Sequence, residues 1–168
     1  LNAGRWDYIF SFIKNFADDE SRALPDRTSI TMTVPFMRAY TELLVKTCHE
    51  RGAHAIGGMA AFVPSGADPD ATSVALERTQ ADKAREAGDG FDGSWVAHPA
   101  LVPTCTEAFS AILADRPHQI ERRRDDVVVT AEQLIGLCDM PHSITVAGLR
   151  TNLRVPLAYL SAWVGGRG

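Results

Sequence analysis

AHAIGGMAAFVP, residues 53–64, is a short apolar run that contains a glycine pair and is closed by a proline. Its length and flanks favour a buried strand opening into a loop. Before it, FMRAYTELLVKTCHERG at 36–52 has helical periodicity, follows Pro35 at a favoured first-turn position, and stops at Gly52. After it, residues 69–87 are polar and helix-forming. Asp68 and Asp70 lie in front and Arg85 near the back, as the helix dipole prefers, and Gly88 and Gly90 end the element. GSWVAHP at 93–99 then reads as a second buried strand, with Pro99 at its exit. ALVPTCTEAFSAILA at 100–114 reads as a helix, broken by Asp115 to Pro117. Helix, strand, helix, strand, helix is the grammar of a parallel α/β protein.

Working outward, YIFSFIKNF at 8–16 places apolar side chains at 9, 10, 12, 13 and 16, the spacing of one helix face. ADDESRALPDRT at 17–28 reads as an exposed loop, and a short run from Ile30 to Val34 leads into Pro35. Beyond residue 115 only helical patterns remain: a charged piece around QIERRR at 119–124, TAEQLIGL from Thr130, and a longer one from Thr145 to Val164. Thr130 and Gln133 have capping-box spacing. Pro156 sits inside the last pattern, where it should remove a hydrogen bond and kink the helix. The change of grammar suggests an α/β part over 1–115 and an all-helical part over 116–168.

An apolar fraction of 45% over 168 residues is ordinary for one globular core. A formal charge of −4 leaves no basic excess, which argues against a nucleic-acid footprint or a membrane-surface patch and for small-molecule partners. No apolar run approaches the about 20 residues that cross a bilayer. Cys48, Cys105 and Cys138 are far apart and form no CxxC pair, so neither a zinc ribbon nor a disulfide framework is expected. A reducing, cytoplasmic setting fits. The dense apolar start LNAGRWDYIF reads as a cut through a structural element, and Gly165-Gly166-Arg167-Gly168 as a helix stop with a cut in a loop.

Among candidate functional residues, Asp7 follows Gly4-Arg5-Trp6 and precedes a helical pattern. A carboxylate there can face a metal while neighbouring N–H groups face an anion, or it can simply cap the helix, and the residues alone favour the cap. Gly57-Gly58 before Met59 allows either close approach of a ligand to the backbone or tight packing. His98 at a strand exit is an acid or base candidate, though a lone histidine is more often structural. Cys48 reads as core. Arg122-Arg123-Arg124 is nearly cancelled by Glu121, Asp125 and Asp126, and so reads as a solvated helix face rather than a phosphate site.

LNAGRWDYIF also resembles most of a signature, G-L-N-x-G-x-W-D-Y-aliphatic-F, that belongs to the malate synthases. Leu1, Asn2, Gly4, Trp6, Asp7, Tyr8, Ile9 and Phe10 fit it, and Ala3 stands where cysteine is usual. LPDR at 24–27, TMTVPF at 31–36, ELLVKTCHERGAHAIGGMAAFVPS at 42–65, DGSWVAHP at 92–99 and NLRV at 152–155 with Trp163 all look like the shorter, A-type form. The resemblance covers essentially the whole chain.

It implies the C-terminal part of a TIM (β/α)8 barrel followed by the start of a helical domain, with a sixth strand ending near Asp7, a seventh at about 54–59 and an eighth at about 93–98. It implies condensation of acetyl-CoA with glyoxylate, with Mg²⁺ held by Asp7 and by a Glu outside the chain. The backbone N–H groups of Gly4, Arg5 and Trp6 would hold the glyoxylate carboxylate. Met59, Ala97 and Pro99 would lie on the CoA side. The general-base Asp and the enolate-stabilising Arg match no residue here, so the chain alone is expected to be inactive. Asp125, Asp126 and Asp139 lack the family's Met-Glu-Asp context. Beside this stand two alternatives, a related barrel acting on another 2-oxo acid and a truncated, non-enzymatic remnant. A peroxisomal or glyoxysomal address would sit at the true C-terminus. Oligomeric state is not legible.

Overall fold

The computed structural model describes residues 1–62, 69–137, 140 and 143–167. Val63, Pro64, Asp68, Cys138 and Asp139 lie outside the described residues. The α-helices are α1 (Arg5–Asn15), α2 (Pro35–Glu50), α3 (Pro69–Asp89), α4 (Val102–Leu113), α5 (Ala131–Ile135) and α6 (Val146–Val164). Short 3-10 turns occupy Glu20–Arg22, Arg27–Ser29 and Pro99–Leu101. Pro35 stands in the first turn of α2, and Gly52 takes φ +65° just past its end, a conformation that costs glycine little.

The two expected strands appear only in reduced form. Among the described residues there is no extended ladder, but three segments lie side by side and parallel through the isolated bridges Asn2↔Ile56, Ile56↔Gly93 and Ala60↔Val96. Hydrogen bonds from Ala3 N to Ile56 O, Gly57 N to Gly93 O and Ala60 N to Trp95 O join them. The ladder is short for a local reason. Ile56 faces Gly93 and Ala60 faces Val96, so the first segment takes four steps where the second takes three. That extra residue is a bulge, and it interrupts pairing at Gly58.

Helices α2, α3 and α4 cover these segments through a core of Ala3, Leu44, Val45, Cys48, Ala55, Ala87, Phe91 and Phe109. Cys48 is therefore a core residue, as its helical position suggested. A second core joins α1 to α2 through Ile9, Phe12, Ile30, Phe36 and Met37, with Leu137 and Met140 from the later chain. Leu137 and Met140 thus anchor the later chain on the earlier helices.

QIERRR is not helical. Residues 119–124 form turns because their side chains are drawn to the end of α3: Arg122 donates to Gly88 O at 2.6 Å and Arg124 to Asp89 O at 2.5 Å. These are carbonyls that the helix end leaves without donors. The capping box at α5 is present, with Thr130 N donating to Gln133 Oε1 at 2.8 Å and Gln133 N to Thr130 Oγ1 at 3.3 Å. Helix α6 runs on through Pro156 and has no buried residue.

Candidate active site

Helix α1 begins where the first bridged segment ends. Gly4 is its N-cap and the first helical bond runs from Tyr8 N to Gly4 O, so the N–H groups of Arg5, Trp6 and Asp7 precede the hydrogen-bonded ladder and point out of the helix. Asp7 is therefore not the cap. It lies in the first turn, exposed, with its carboxylate folded over Gly4: a Cβ at Gly4 would lie 2.0 Å from Asp7 Oδ2. The Gly4 N–H itself donates to Asn2 O at 3.1 Å.

These residues open into a cleft of about 640 Å³ at the C-terminal ends of the parallel segments. Gly4, Arg5, Trp6 and Asp7 line one side, Gly58 to Phe62 and Trp95 another, and Arg78, Asp82, Lys83 and Glu86 of α3 a third. Trp6 lies under two guanidinium groups, Arg5 at 4.3 Å and Arg27 at 4.4 Å from its ring centroid. Burial lowers the Arg5 pKa; the Asp82 charge opposes that shift and Arg27 reinforces it. Behind Asp7, the Tyr40 hydroxyl is pushed up to about 12, first by burial and then by the negative charge of Asp7.

The α3 wall holds a buried ion pair. Lys83 Nζ lies 2.9 Å from Glu86 Oε2, with both side chains almost fully enclosed. Burial raises the Glu86 carboxyl above its ordinary value, an effect that Lys83 opposes.

At the other end of the segments sits a different polar cluster. Asp92 accepts from Ala55 N at 2.8 Å and from Gln119 N at 2.6 Å, and it lies against His49. It belongs to the scaffold, since the cleft opens at the opposite end.

The family model for the malate synthase TIM barrel domain matches residues 1–137. The chain belongs to the malate synthase family. Over the whole chain it is 60% identical to a malate synthase of Streptomyces clavuligerus, 48% to malate synthase A of Escherichia coli (strain K12) and 49% to a glyoxysomal malate synthase of Cucumis sativus. The chain spans 31% of the length of the first of these relatives. The TIM barrel domain is thus the fold to which these parallel segments and their helices belong.

Of the residues that the malate synthase signature pointed to, Gly4, Arg5, Trp6, Asp7 and Met59 share the cleft. Ala97 and Pro99 do not line it; both are exposed where the 93–96 segment leaves. His98 caps the following turn, its Nδ1 accepting from Ala100 N at 3.2 Å, and so fills a structural role. Sequence reasoning missed Lys83, Glu86, Asp82 and Trp95. A lysine three residues before a glutamate in a polar helix looks like a surface pair, so no local signal sets it apart. Among the described residues no three His, Cys, Asp or Glu side chains converge as a metal site, and no helix is long and apolar enough to cross a membrane.

Proposed function

We propose that this chain is part of an enzyme that condenses acetyl-CoA with glyoxylate and water to give malate and CoA, in the cytoplasm. One observation carries the reading: Asp7 and the outward N–H groups at the start of α1 open into one cleft with the apolar side chains of Trp6, Met59 and Trp95.

The N–H groups of Arg5 and Trp6 suit a carboxylate, because a helix N-terminus offers unpaired donors and a favourable dipole. Asp7 beside them offers a hard oxygen ligand, open to the cleft, that suits Mg²⁺. A single carboxylate would complete no shell, so the remaining ligands come from elsewhere in the protein. When bound, the ion supplies electrophilic polarisation of the glyoxylate aldehyde. The N–H groups hold the acid so that its carbonyl carbon faces the cleft. Trp6, Met59 and Trp95 give the acetyl thioester a dry wall, with Ala97 and Pro99 as outer contacts on the CoA side. In the reaction the acetyl methyl group loses a proton, its carbon bonds to the aldehyde carbon, and water then releases CoA as the thiol. The base for that proton and the cation for the enolate match no residue in 1–168.

We assign residues 1–115 to the last strands and helices of the barrel and 116–168 to the start of a helical domain packed on it. In the full-length enzyme, Asp7→Asn should abolish most turnover and weaken Mg²⁺ binding measured by calorimetry, because a neutral amide replaces a carboxylate. Near-normal turnover together with normal metal affinity would remove Asp7 from the site.

A further inference from the structure

Gly58 lies at the bulge, between the bridges Ile56↔Gly93 and Ala60↔Val96, where the paired segments cannot serve its backbone groups. Both groups are taken by side chains instead. Gly58 N donates to Glu86 Oε1 at 3.0 Å, and Gly58 O accepts from Lys83 Nζ at 2.5 Å and from Ser94 Oγ at 3.0 Å. The carboxylate also occupies the space beside Gly57, where a Cβ would lie 2.0 Å from Glu86 Oε2. This explains Gly57, which makes room for the carboxylate that holds Gly58.

Lys83 and Glu86 are 1% and 3% exposed. Burying two charges is costly, and a pair of apolar residues of the same size would serve stability as well or better. What the ion pair supplies that apolar residues cannot is one donor and one acceptor aimed at the two backbone groups of a single residue, Gly58. The residue that follows is Met59, which stands 43% exposed in the cleft beside the buried Ala60.

We propose that Lys83 and Glu86 are positioning residues that clamp the Gly58 bulge and thereby aim Met59 at the acyl-thioester side of the cleft. The functional half of this inference rests on the proposed reading of the cleft. The clamp itself rests on the geometry.

The test uses the full-length enzyme carrying the paired replacement Lys83→Met with Glu86→Leu, which keeps volume but removes both contacts to Gly58. Glu86→Gln, which keeps an acceptor for the Gly58 N–H, is the conservative variant and covers the case in which the paired replacement does not fold. Hydrogen exchange over residues 56–61 should quicken by roughly tenfold in the paired variant, where both charge-assisted hydrogen bonds to Gly58 are lost, and by less in Glu86→Gln, where one is only weakened. Unchanged protection in every variant that folds would overturn the clamp, whatever the enzyme catalyses. In kinetics, the paired replacement and Met59→Ala should each raise KM for acetyl-CoA by roughly tenfold, with kcat changed far less. Combining them should cost no more than the worse of the two, because the clamp acts through Met59. Multiplying losses in the combined variant would overturn the positioning role. An unaltered KM in Met59→Ala would overturn the reading of the cleft at this wall, with the exchange result still reporting on the clamp.

Discussion

His49 Nε2 lies 3.1 Å from Asp92 Oδ2, and both side chains are almost wholly enclosed. The other ring nitrogen, Nδ1, faces Arg122 O at 2.7 Å. One histidine thus joins α2 to the start of the 93–96 segment and to the turns that replaced the expected helix at 119–124. Asp92 completes the junction by accepting from Ala55 N and Gln119 N. Asp92→Ala would strand these buried donors together, and the cost of breaking such a buried arrangement is about 3–5 kcal/mol. Urea unfolding of the full-length enzyme should show that loss. A loss under about 1 kcal/mol would mean that water or another side chain replaces the carboxylate.

A pH dependence follows from Glu86. Burial raises its folded-state pKa above the ordinary 4.5, and Lys83 opposes the rise. The folded state therefore holds this proton more tightly than the unfolded state does. Its contribution to stability is fully present below about 4.5 and is lost as pH climbs through the raised folded value. Lys83→Met removes the opposing charge, so the loss should extend to higher pH than in the unmodified enzyme. Denaturation midpoints across the weakly acidic to neutral range, compared with those of Glu86→Gln, report the difference. A decline that moves to lower pH in Lys83→Met would contradict the assignment.

The order of helices was legible in residues 35–114 because Pro35, Gly52 and the paired Gly88 and Gly90 punctuate apolar periods clearly. The two buried runs were also legible as neighbours in a parallel arrangement. What holds the bulge at Gly58 was not, since that is Glu86, 28 residues further on and inside a helix that looks uniformly polar. QIERRR failed for a related reason: helical spacing of charges says nothing about α3 carbonyls awaiting Arg122 and Arg124. For Asp7 the residues alone favoured a cap, and the structure gives the cap to Gly4. Only the resemblance pointed to a ligand there, because among the described residues Asp7 joins no group of three metal-binding side chains.

Among the described residues, Asp26 of the loop after α1 ties down the start of α6. Asp26 Oδ1 accepts from Thr145 N at 3.0 Å and Oδ2 from Thr145 Oγ1 at 2.6 Å, while Thr145 caps α6 by accepting from Gly148 N at 3.0 Å. The Thr145 hydroxyl and then its N–H hold the Asp26 carboxyl below its ordinary 3.8. The tie is therefore present above about 3.8 and is lost as pH falls through the depressed folded value. Asp26→Ala should speed hydrogen exchange over residues 146–150 and leave α2 unaffected. Equal exchange in both enzymes would show that α6 is held elsewhere.

The isolated 168-residue chain should associate and make no malate. Helix α6 carries Leu149, Leu153, Leu157, Leu160 and Trp163, yet buries none of its residues, and Trp163 is 69% exposed. A helix with apolar side chains on this scale is covered in a stable protein, and uncovered it drives association. The parallel segments add a second cause. Among the described residues, the segment at Asn2 pairs only with that at Ile56, and the segment at Gly93 to Val96 pairs only with that at Ile56 to Ala60. Each outer segment thus leaves one edge open, and a barrel removes such edges only by closing. Sedimentation velocity over a range of concentrations should show larger species growing with concentration. Catalysis should fail independently, because deprotonating a thioester methyl group needs a placed base, worth about 10²–10⁴-fold, and the enolate needs a cation beside it. Thiol release from acetyl-CoA should therefore be the same with and without glyoxylate. A monomeric chain with a sharp thermal transition would contradict the first expectation. Glyoxylate-dependent thiol release that follows the chain through purification would contradict the second, and would require a base among residues 1–168.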